Sequence, residues 1–487
     1  MAELSAARRK INTVRVVDAK YQICAEHTPW LPVIAASPER LQPMELDGVR
    51  DLDGSVKGGE DLRPIHYIGN KSRYLTAIEQ AVDSVARPGS SACDLFAGTA
   101  VVSRRLAQRR PVVSADVQAY SQVLARALTR PTRFQTRDQD ALIEVADDWL
   151  ATMRSQFDQL LAFEARAMDS ATSTPTDLAA LVERGSFAIS EHRATELDEI
   201  KARIRELVRP DDATLTWYYG GTYFSFAQAL ELDALRHAAR VTGGPTRNDT
   251  MVAAVMGAAS DAVSTVGNHF AQPTQPRNRD GSLKRSWVGS VIRRRQYSVL
   301  QGFRQWLGRY AELRETPFLC HAVQSTFEST LSTLGPEVGV IYADPPYTRD
   351  HYSRFYHVLE TIALDDDPGV TRALGSDEPS RGLYRTERHQ SPFSIRTQVE
   401  GAFRNLMAEA KRLDVPLVLS YSPMSAGTKA RPETRLMSID GLVEAAEDYF
   451  ADVRLIDVEA SSHSRFNRLE LNADNRGAAE VLIVAQT

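Results

Sequence analysis

Residues 91–116 read SACDLFAGTAVVSRRLAQRRPVVSAD, and this stretch decides the fold. A short apolar run ends at Leu95, a tight turn with Gly98 follows, and a helical segment leads to a second apolar run that ends at Asp116. Strand, helix and strand at this spacing are typical of an open parallel α/β sheet. A glycine in such a turn lets a ligand approach the backbone, and the helix that follows offers unpaired N–H groups. We therefore predict an α/β fold with a ligand site at this turn.

The residues of the turn also narrow the choice of ligand. The turn lacks the second and third glycines of the dinucleotide fingerprint, which argues against a nicotinamide cofactor. Asp116 stands 22 residues after Asp94, at the end of the second strand. An acidic residue at this place can bind the two hydroxyl groups of an adenosine ribose. The spacing alone leaves open the alternative that Asp116 caps the following helix.

Outward from this stretch, the pattern divides the chain into four parts. Residues 1–60 mix short apolar runs with Pro, Gly and charge, and we predict an N-terminal extension there. Residues 61–131 contain the first half of the α/β core. Residues 132–315 show the three- and four-residue apolar spacing of long helices. Strand patterns return in 316–487, so the prediction is a Rossmann-like core split by a mostly helical insertion.

A second motif, IYADPPYT at Ile341–Thr348, follows a buried strand of the second half. Pro345 and Pro346 fix an extended backbone and lack N–H donors, so the carbonyl between them can point outward. The Asp344 carboxylate, that carbonyl and the Tyr347 ring suit an exocyclic amino group on a flat base, with two acceptors for its hydrogens and a ring for stacking. A plain turn is the alternative, and the preceding strand together with the DLFAGTA turn disfavours it.

Together these motifs resemble the Dam-type, alpha-group DNA adenine N6-methyltransferases, which use S-adenosyl-L-methionine. YIGNK at 67–71 is similar to their N-terminal aromatic-Gly-Gly-Lys motif, and DLFAGTA at 94–100 to their cofactor loop. SADVQAYS at 114–121 is similar to their ribose-binding strand end, and IYADPPYT to their catalytic tetrapeptide. The resemblance covers about 65–131 and 316–425. It implies a class I methyltransferase core with an insertion for target recognition.

The resemblance also implies a role for each matched residue. The catalytic residues would be Asp344, Pro345, Pro346 and Tyr347. The cofactor-binding residues would be Tyr67, Asn70, Lys71, Asp94, Phe96, Gly98, Thr99 and Asp116. Lys71 is expected at the methionine carboxylate of S-adenosyl-L-methionine, and Asp116 at its ribose. The chemistry requires no metal, and the sequence shows no metal-ligand cluster.

One segment of the insertion has the charge that binding to DNA requires. The whole chain has a net charge of -5, yet residues 274–310 contain nine basic residues and one acidic residue. Phosphate contacts from such a segment would dominate affinity and make it salt-dependent. The alternative is a solvated helix face. The predicted DNA-binding residues are Arg277, Arg279, Lys284, Arg285, Arg293, Arg294 and Arg295.

Composition and the remaining patterns limit the compartments and partners that the sequence allows. Three cysteines without metal spacing indicate a reducing compartment, and the longest apolar stretch, Met251–Val266, is short and interrupted by Asp261. We predict a cytoplasmic protein without a membrane partner. It would transfer a methyl group to a flipped-out adenine at specific sites in double-stranded DNA. The sequence leaves open whether it acts alone or with a companion restriction enzyme or defence-system subunits. The alternatives are an N4-cytosine or RNA amino-group methyltransferase, or a non-catalytic DNA-binding subunit with the same fold.

Overall fold

A computed structural model describes residues 62–190, 195–265, 267–349, 351–422, 436–458 and 480–486. These residues all belong to the unit Gly58–Thr487. The predicted N-terminal extension, 1–60, lies outside the described residues.

In the described part of the chain, seven strands form one sheet. They are β1 (Ser91–Leu95), β2 (Val112–Asp116), β3 (Cys320–Gln324), β4 (Val338–Ala343), β5 (Leu417–Tyr421), β6 (Asp452–Val458) and β7 (Glu480–Gln486). Their order is β3-β2-β1-β4-β5-β7-β6. The first five strands are parallel, and β7 is antiparallel to both of its neighbours. The strand order reverses between β1 and β4, which is where open α/β sheets bind their ligands.

Helices cover the sheet and fill the long segment between β2 and β3. Those before β3 are α1 (Leu75–Val85), α2 (Val101–Leu106), α3 (Ala119–Thr129), α4 (Thr136–Gln156), α5 (Asp158–Ser170), α6 (Thr176–Arg184), α7 (Glu196–Leu207), α8 (Thr214–Tyr219), α9 (Phe226–Thr242), α10 (Pro245–Ala262), α11 (Val288–Arg295) and α12 (Val299–Glu312). Those after β3 are α13 (Phe327–Thr333), α14 (Tyr352–Phe355), α15 (His357–Leu364), α16 (Val399–Arg412) and α17 (Ile439–Glu447), with one 3-10 turn at Pro392–Ser394.

The buried side chains explain why the strands read as continuous apolar runs. Cys93 and Leu95 of β1 pack with α13, α16 and α17 on one face of the sheet. Ala92 packs with α1 and α2 on the other face. A strand that is covered on both faces has apolar residues on both faces rather than at alternate positions only. The prediction of a Rossmann-like α/β core is confirmed.

The helices between β2 and β3 share one core with the sheet-bearing part. Leu124 and Leu128 of α3 belong to the same buried cluster as Phe226 of α9 and Val255 of α10. Leu359 of α15 joins this cluster from the other side of the split. The helical segment is therefore packed directly against the core that it interrupts. The predicted domain boundaries at 61, 132 and 316 stay predictions.

Candidate active site

One cleft lies at the carboxyl ends of β1, β2 and β4, and it brings the predicted motifs together. All twelve residues assigned to cofactor binding or catalysis line it. They are Tyr67, Asn70, Lys71, Asp94, Phe96, Gly98, Thr99, Asp116, Asp344, Pro345, Pro346 and Tyr347. Parallel strands end at the same edge of a sheet, so residues more than 200 positions apart in sequence meet there. Their shared location supports the predicted roles, which themselves stay predictions.

The turn after β1 is shaped by a glycine in a left-handed conformation. Gly98 has a φ of +54°, and a Cβ atom on it would lie 2.9 Å from the hydroxyl of Tyr67. Tyr67 in turn stacks on Tyr356 with a ring-centre distance of 4.6 Å. The Tyr356 hydroxyl accepts a hydrogen bond of 2.8 Å from the Ile68 N–H group. The YIGNK segment and the DLFAGTA turn therefore fit against each other only because residue 98 has no side chain.

Asp116, at the end of β2, connects the turn after β1 to the segment that leads into α3. Its carboxylate accepts hydrogen bonds of 2.9 Å from the Gly98 N–H and from the Gln118 N–H. The first N–H groups of α3, at Ala119 and Tyr120, are bound at 2.9 and 3.1 Å by Glu360 of α15. Glu360, which sequence reasoning missed, is thus the cap of α3. Asp116 itself bonds the N–H of Gln118, the residue directly before α3, so ribose binding and the helix-cap alternative both stay predictions.

Two further residues of the DLFAGTA and YIGNK motifs make local contacts inside the cleft. Asp94 is buried and accepts a hydrogen bond from the Ser103 hydroxyl. Burial raises the pKa of Asp94 to about 7, against the lowering effect of that hydrogen bond. The Asn70 side chain accepts a hydrogen bond of 2.7 Å from the Ser72 N–H and so closes its own turn. Both residues thus stabilise the walls of the cleft.

Lys71 lies between two carboxylates at the bottom of the cleft. Its ammonium nitrogen is 3.1 Å from Asp344 Oδ1 and 3.0 Å from Glu480 Oε1. The Ser420 hydroxyl donates a 2.6 Å hydrogen bond to the same Glu480 oxygen. Burial acts to lower the pKa of Lys71, but Asp344 and Glu480 outweigh it, so the pKa is raised well above its usual value. The resemblance placed Lys71 at a cofactor carboxylate, whereas the structure pairs it with two carboxylates of the protein.

Asp344 is held at the carboxyl end of β4 with only 20% of its side chain exposed. Burial raises its pKa to about 6, Lys71 acts to lower it, and Glu480 acts to raise it. Tyr347 packs against Tyr421 of β5 with a ring-centre distance of 5.3 Å. At neutral pH the site therefore presents an ionised acceptor next to an aromatic ring.

Sequence reasoning also missed Glu480. The strand β7 reads EVLIVAQ, and Glu480 is its acidic residue, buried at the first position. A buried acid almost always has a charged or hydrogen-bonding partner. An acidic residue at the start of a buried strand was therefore the signal in the sequence. Its partner could not be read from the sequence, because Lys71 is 409 positions away.

The predicted DNA-binding residues divide into two groups. Arg279, Arg285 and Arg293 are exposed, and Arg277 is exposed beside Glu183, to which it donates a hydrogen bond of 2.9 Å. Residues 276–284 form a short hairpin, with Arg277 bridged to Leu283. These side chains lie on a surface that a nucleic acid can reach.

The other three residues make contacts within the protein. Lys284 is partly buried and donates to the Gln275 carbonyl at 3.2 Å, and Arg294 donates to the Asp261 carbonyl at 3.1 Å. Arg295 has a fully buried side chain that pairs with Glu164 at 2.8 Å. The assignment of Arg295 to a DNA-binding surface is therefore corrected. A buried cation needs a buried anion, so its role is to stabilise the helical segment.

Two findings concern what the described residues do not contain. They hold no group of three or more His, Cys, Asp or Glu side chains that could bind a metal ion. None of the helices in the described ranges combines the length and apolar character needed to cross a membrane.

Comparisons with known proteins support the assignment of this cleft. Residues 67–228 match the family model of the D12 class N6 adenine-specific DNA methyltransferase. The chain is also 27% identical, over 146 residues, to the modification methylase LlaI of Lactococcus lactis subsp. lactis. That alignment covers 30% of this chain and 20% of the relative, so the chain spans about a fifth of the length of the curated protein it matches. These matches bear out the predicted resemblance to the Dam-type adenine methyltransferases, a family whose reaction requires a methyl donor.

Proposed function

We propose that this protein is an S-adenosyl-L-methionine-dependent DNA adenine N6-methyltransferase that acts on a flipped-out adenine in double-stranded DNA. The observation that carries the proposal is the position of the Asp344–Tyr347 loop. It lies in the same cleft as the Gly98 turn and Asp116, which the family match covers. The matched region ends at residue 228, so the catalytic loop adds support that is independent of that match.

The residues of the cleft fit the proposed methyl donor. Asp116 presents a carboxylate at the end of β2, where a ribose would have its hydroxyl groups bound. The Gly98 turn leaves room for a close approach of the ligand to the backbone. Phe96 lies 5.8 Å from Phe327, and both rings line the cleft, so they offer an apolar wall for a base. When bound, S-adenosyl-L-methionine supplies a methyl group on a positively charged sulfur.

The catalytic loop can prepare an amino group for methyl transfer. The lone pair of the adenine N6 nitrogen is delocalised into the ring, which makes the nitrogen a poor nucleophile. Asp344 and the Pro345 carbonyl would accept its two hydrogens and favour a pyramidal nitrogen with an available lone pair. Lys71 and Glu480 fix the Asp344 carboxylate in place. The Tyr347 ring would stack on the extruded base and offset part of the few kcal/mol lost on unstacking.

The basic surface explains how DNA could be held. The exposed residues Arg277, Arg279, Arg285 and Arg293 offer guanidinium groups for phosphates, and such contacts position a protein without reading sequence. A DNA substrate also favours the cytoplasm as the place of action. LlaI is by its name a modification methylase, and we propose by analogy that a restriction enzyme accompanies this chain.

The alternatives differ in the target or in the activity. Cytosine carries an exocyclic amino group with the same two hydrogens, so the catalytic loop alone would also suit N4-cytosine or RNA. The family match favours adenine in DNA. A non-catalytic subunit would have no need for the Asp344–Lys71–Glu480 arrangement, whose three charges are costly to bury.

The test combines a methylation assay with cofactor titration. Wild-type protein should place N6-methyladenine in plasmid DNA, detected by mass spectrometry of the nucleosides. Asp344→Ala should abolish transfer and leave cofactor affinity nearly unchanged, and Asp116→Ala should weaken that affinity by roughly 1.5–3 kcal/mol. Asp452→Ala, on the exposed strand β6, is the matched control and should change neither. N4-methylcytosine as the product, or full activity of Asp344→Ala, would refute the proposal.

A further inference from the structure

Two arginines flank one tyrosine ring near the mouth of the cleft. The guanidinium carbon of Arg354 lies 5.6 Å from the ring centre of Tyr384, and that of Arg388 lies 5.0 Å from it. Each arginine is next to the cleft in the chain, because Ser353 and His389 line it. We call these three residues the Arg354–Tyr384–Arg388 cluster.

The cluster concentrates positive charge that the fold does not neutralise. Among the described residues, no carboxylate pairs with Arg354 or Arg388, and Arg388 Nε and Nη1 are buried without a hydrogen-bond partner. Burial lowers the pKa of Arg388, and the nearby charge of Arg354 lowers it further. The neighbouring Arg385 behaves differently, since it forms an ion pair of 2.7 Å with Asp366. Two neighbouring guanidinium groups, one of which has two buried nitrogens without an acceptor, are better stabilised with an anion between or beside them.

Hydrogen bonds fix the position of Tyr384 and of the segment around it. The Tyr384 hydroxyl donates a hydrogen bond to the Ala271 carbonyl. The Tyr223 hydroxyl lies 2.8 Å from the carbonyl oxygens of both Phe270 and Gly382. These contacts fasten the segment around Tyr384 to the segment that leads into the 276–284 hairpin. A fixed ring that positions two guanidinium groups is a preformed site rather than a loose surface charge.

The cluster also connects the cleft to the basic hairpin. Arg381, a few residues before Tyr384, lines the same surface groove as Arg277 and Arg279. Arginine side chains therefore occur both next to the cleft and along this groove, which also contains Glu183 and Glu378. A polyanion that enters the cleft with one base would have its backbone near these arginines.

We propose that the Arg354–Tyr384–Arg388 cluster binds a backbone phosphate of the DNA strand that carries the target base, next to the extruded nucleotide. The proposal rests on the proposed function, because a phosphate is needed here only if a nucleotide enters the cleft. Guanidinium groups match the geometry of phosphate oxygens with paired N–H donors. The contact would hold the strand in register and would not read its sequence.

The test measures DNA affinity at several salt concentrations for the double variant Arg354→Ala/Arg388→Ala. The slope of log affinity against log salt should flatten by about 0.9 if the two arginines share one phosphate. The loss should be the same for all DNA sequences, and cofactor affinity should not change. The charge-matched control is Arg137→Ala/Arg203→Ala, on two exposed arginines that line neither the cleft nor the groove, and its slope should equal that of wild type.

A second variant separates charge from folding. Arg354→Lys/Arg388→Lys keeps both charges and should restore most of the salt slope, with a thermal midpoint close to that of wild type. A double alanine variant with the wild-type slope would overturn the proposal, and so would weaker cofactor binding with an unchanged slope. If wild-type protein neither binds nor methylates DNA, the proposed function fails as well. If wild-type protein methylates DNA and only the slope prediction fails, the proposed function stands.

Discussion

Replacing Glu480 by glutamine removes one charge from the Asp344–Lys71–Glu480 arrangement and keeps the size of the side chain. Glu480 acts to raise the pKa of Asp344, so its loss should lower that pKa. In the proposed mechanism, the ionised Asp344 carboxylate accepts hydrogens from the target amine. The wild-type rate should therefore fall as the pH drops below about 6, and the variant should keep its activity to lower pH.

The size of the effect follows from the distances. Both carboxylates contact the Lys71 ammonium, at 3.1 and 3.0 Å, so the two contacting oxygens are at most about 6 Å apart. At an effective dielectric constant of about 20, two unit charges at that separation repel each other by about 2.7 kcal/mol. This corresponds to about two pKa units, and the partial exposure of Asp344 reduces it. We expect the acid limb of the rate profile to move down by about one to two pH units.

The assay is the pH dependence of kcat/KM for methylation of plasmid DNA. Glu409→Gln removes a surface charge that pairs with Arg412 on α16, and it should leave the profile unchanged. Lys71→Met removes the cation and should move the acid limb in the opposite direction, to higher pH. Thermal melts of each variant exclude unfolding as the cause. An acid limb that stays in place or rises in Glu480→Gln would refute the reasoning.

Three further changes test other parts of the structure. Gly98→Ala places a Cβ atom 2.9 Å from a tyrosine hydroxyl at a φ of +54°, so it should lower the free energy of unfolding by about 1–2 kcal/mol and weaken cofactor binding in a titration. Burial raises the pKa of Asp94 to about 7, so its stabilising contribution is complete below about pH 4 and lost as the pH rises through about 7. The thermal midpoint of Asp94→Asn should therefore vary less than that of wild type between about pH 5 and about pH 8. Arg295→Met leaves Glu164 buried without its cation and should cost roughly 3–5 kcal/mol in denaturant unfolding, whereas Arg293→Met should cost little.

The sequence predicted those features of the fold that depend on residues close together in the chain. The apolar runs that end at Leu95 and Asp116, and the helical spacing of 132–315, could be read because each depends on neighbouring residues. The order of the strands could not be read in this way. The strand β7 pairs with β5 and β6 in the antiparallel direction, and nothing in its apolar pattern indicates its partners or its direction.

The candidate site shows the same division. The residues of the motifs were predictable because their types and spacing match a known chemistry, and all of them line one cleft. The partners of Glu480 and Glu360 were not predictable, because they are distant in the chain. The burial of Arg295 could not be predicted from the sequence for a different reason. Three consecutive arginines on a helix point in different directions, so one of them faces the interior while Arg293 faces solvent.

The antiparallel strand β7 has a consequence for how the active enzyme is made. It is synthesised after β5 and β6, yet it lies between them in the sheet. Until Glu480 has emerged from the ribosome and β7 has paired with β5, Lys71 and Asp344 lack the carboxylate that completes their arrangement. A nascent chain can therefore form the cofactor half of the cleft early and stay incomplete as a catalyst. The proposed methylation activity would then report that translation has passed β7 and that β7 has paired with β5.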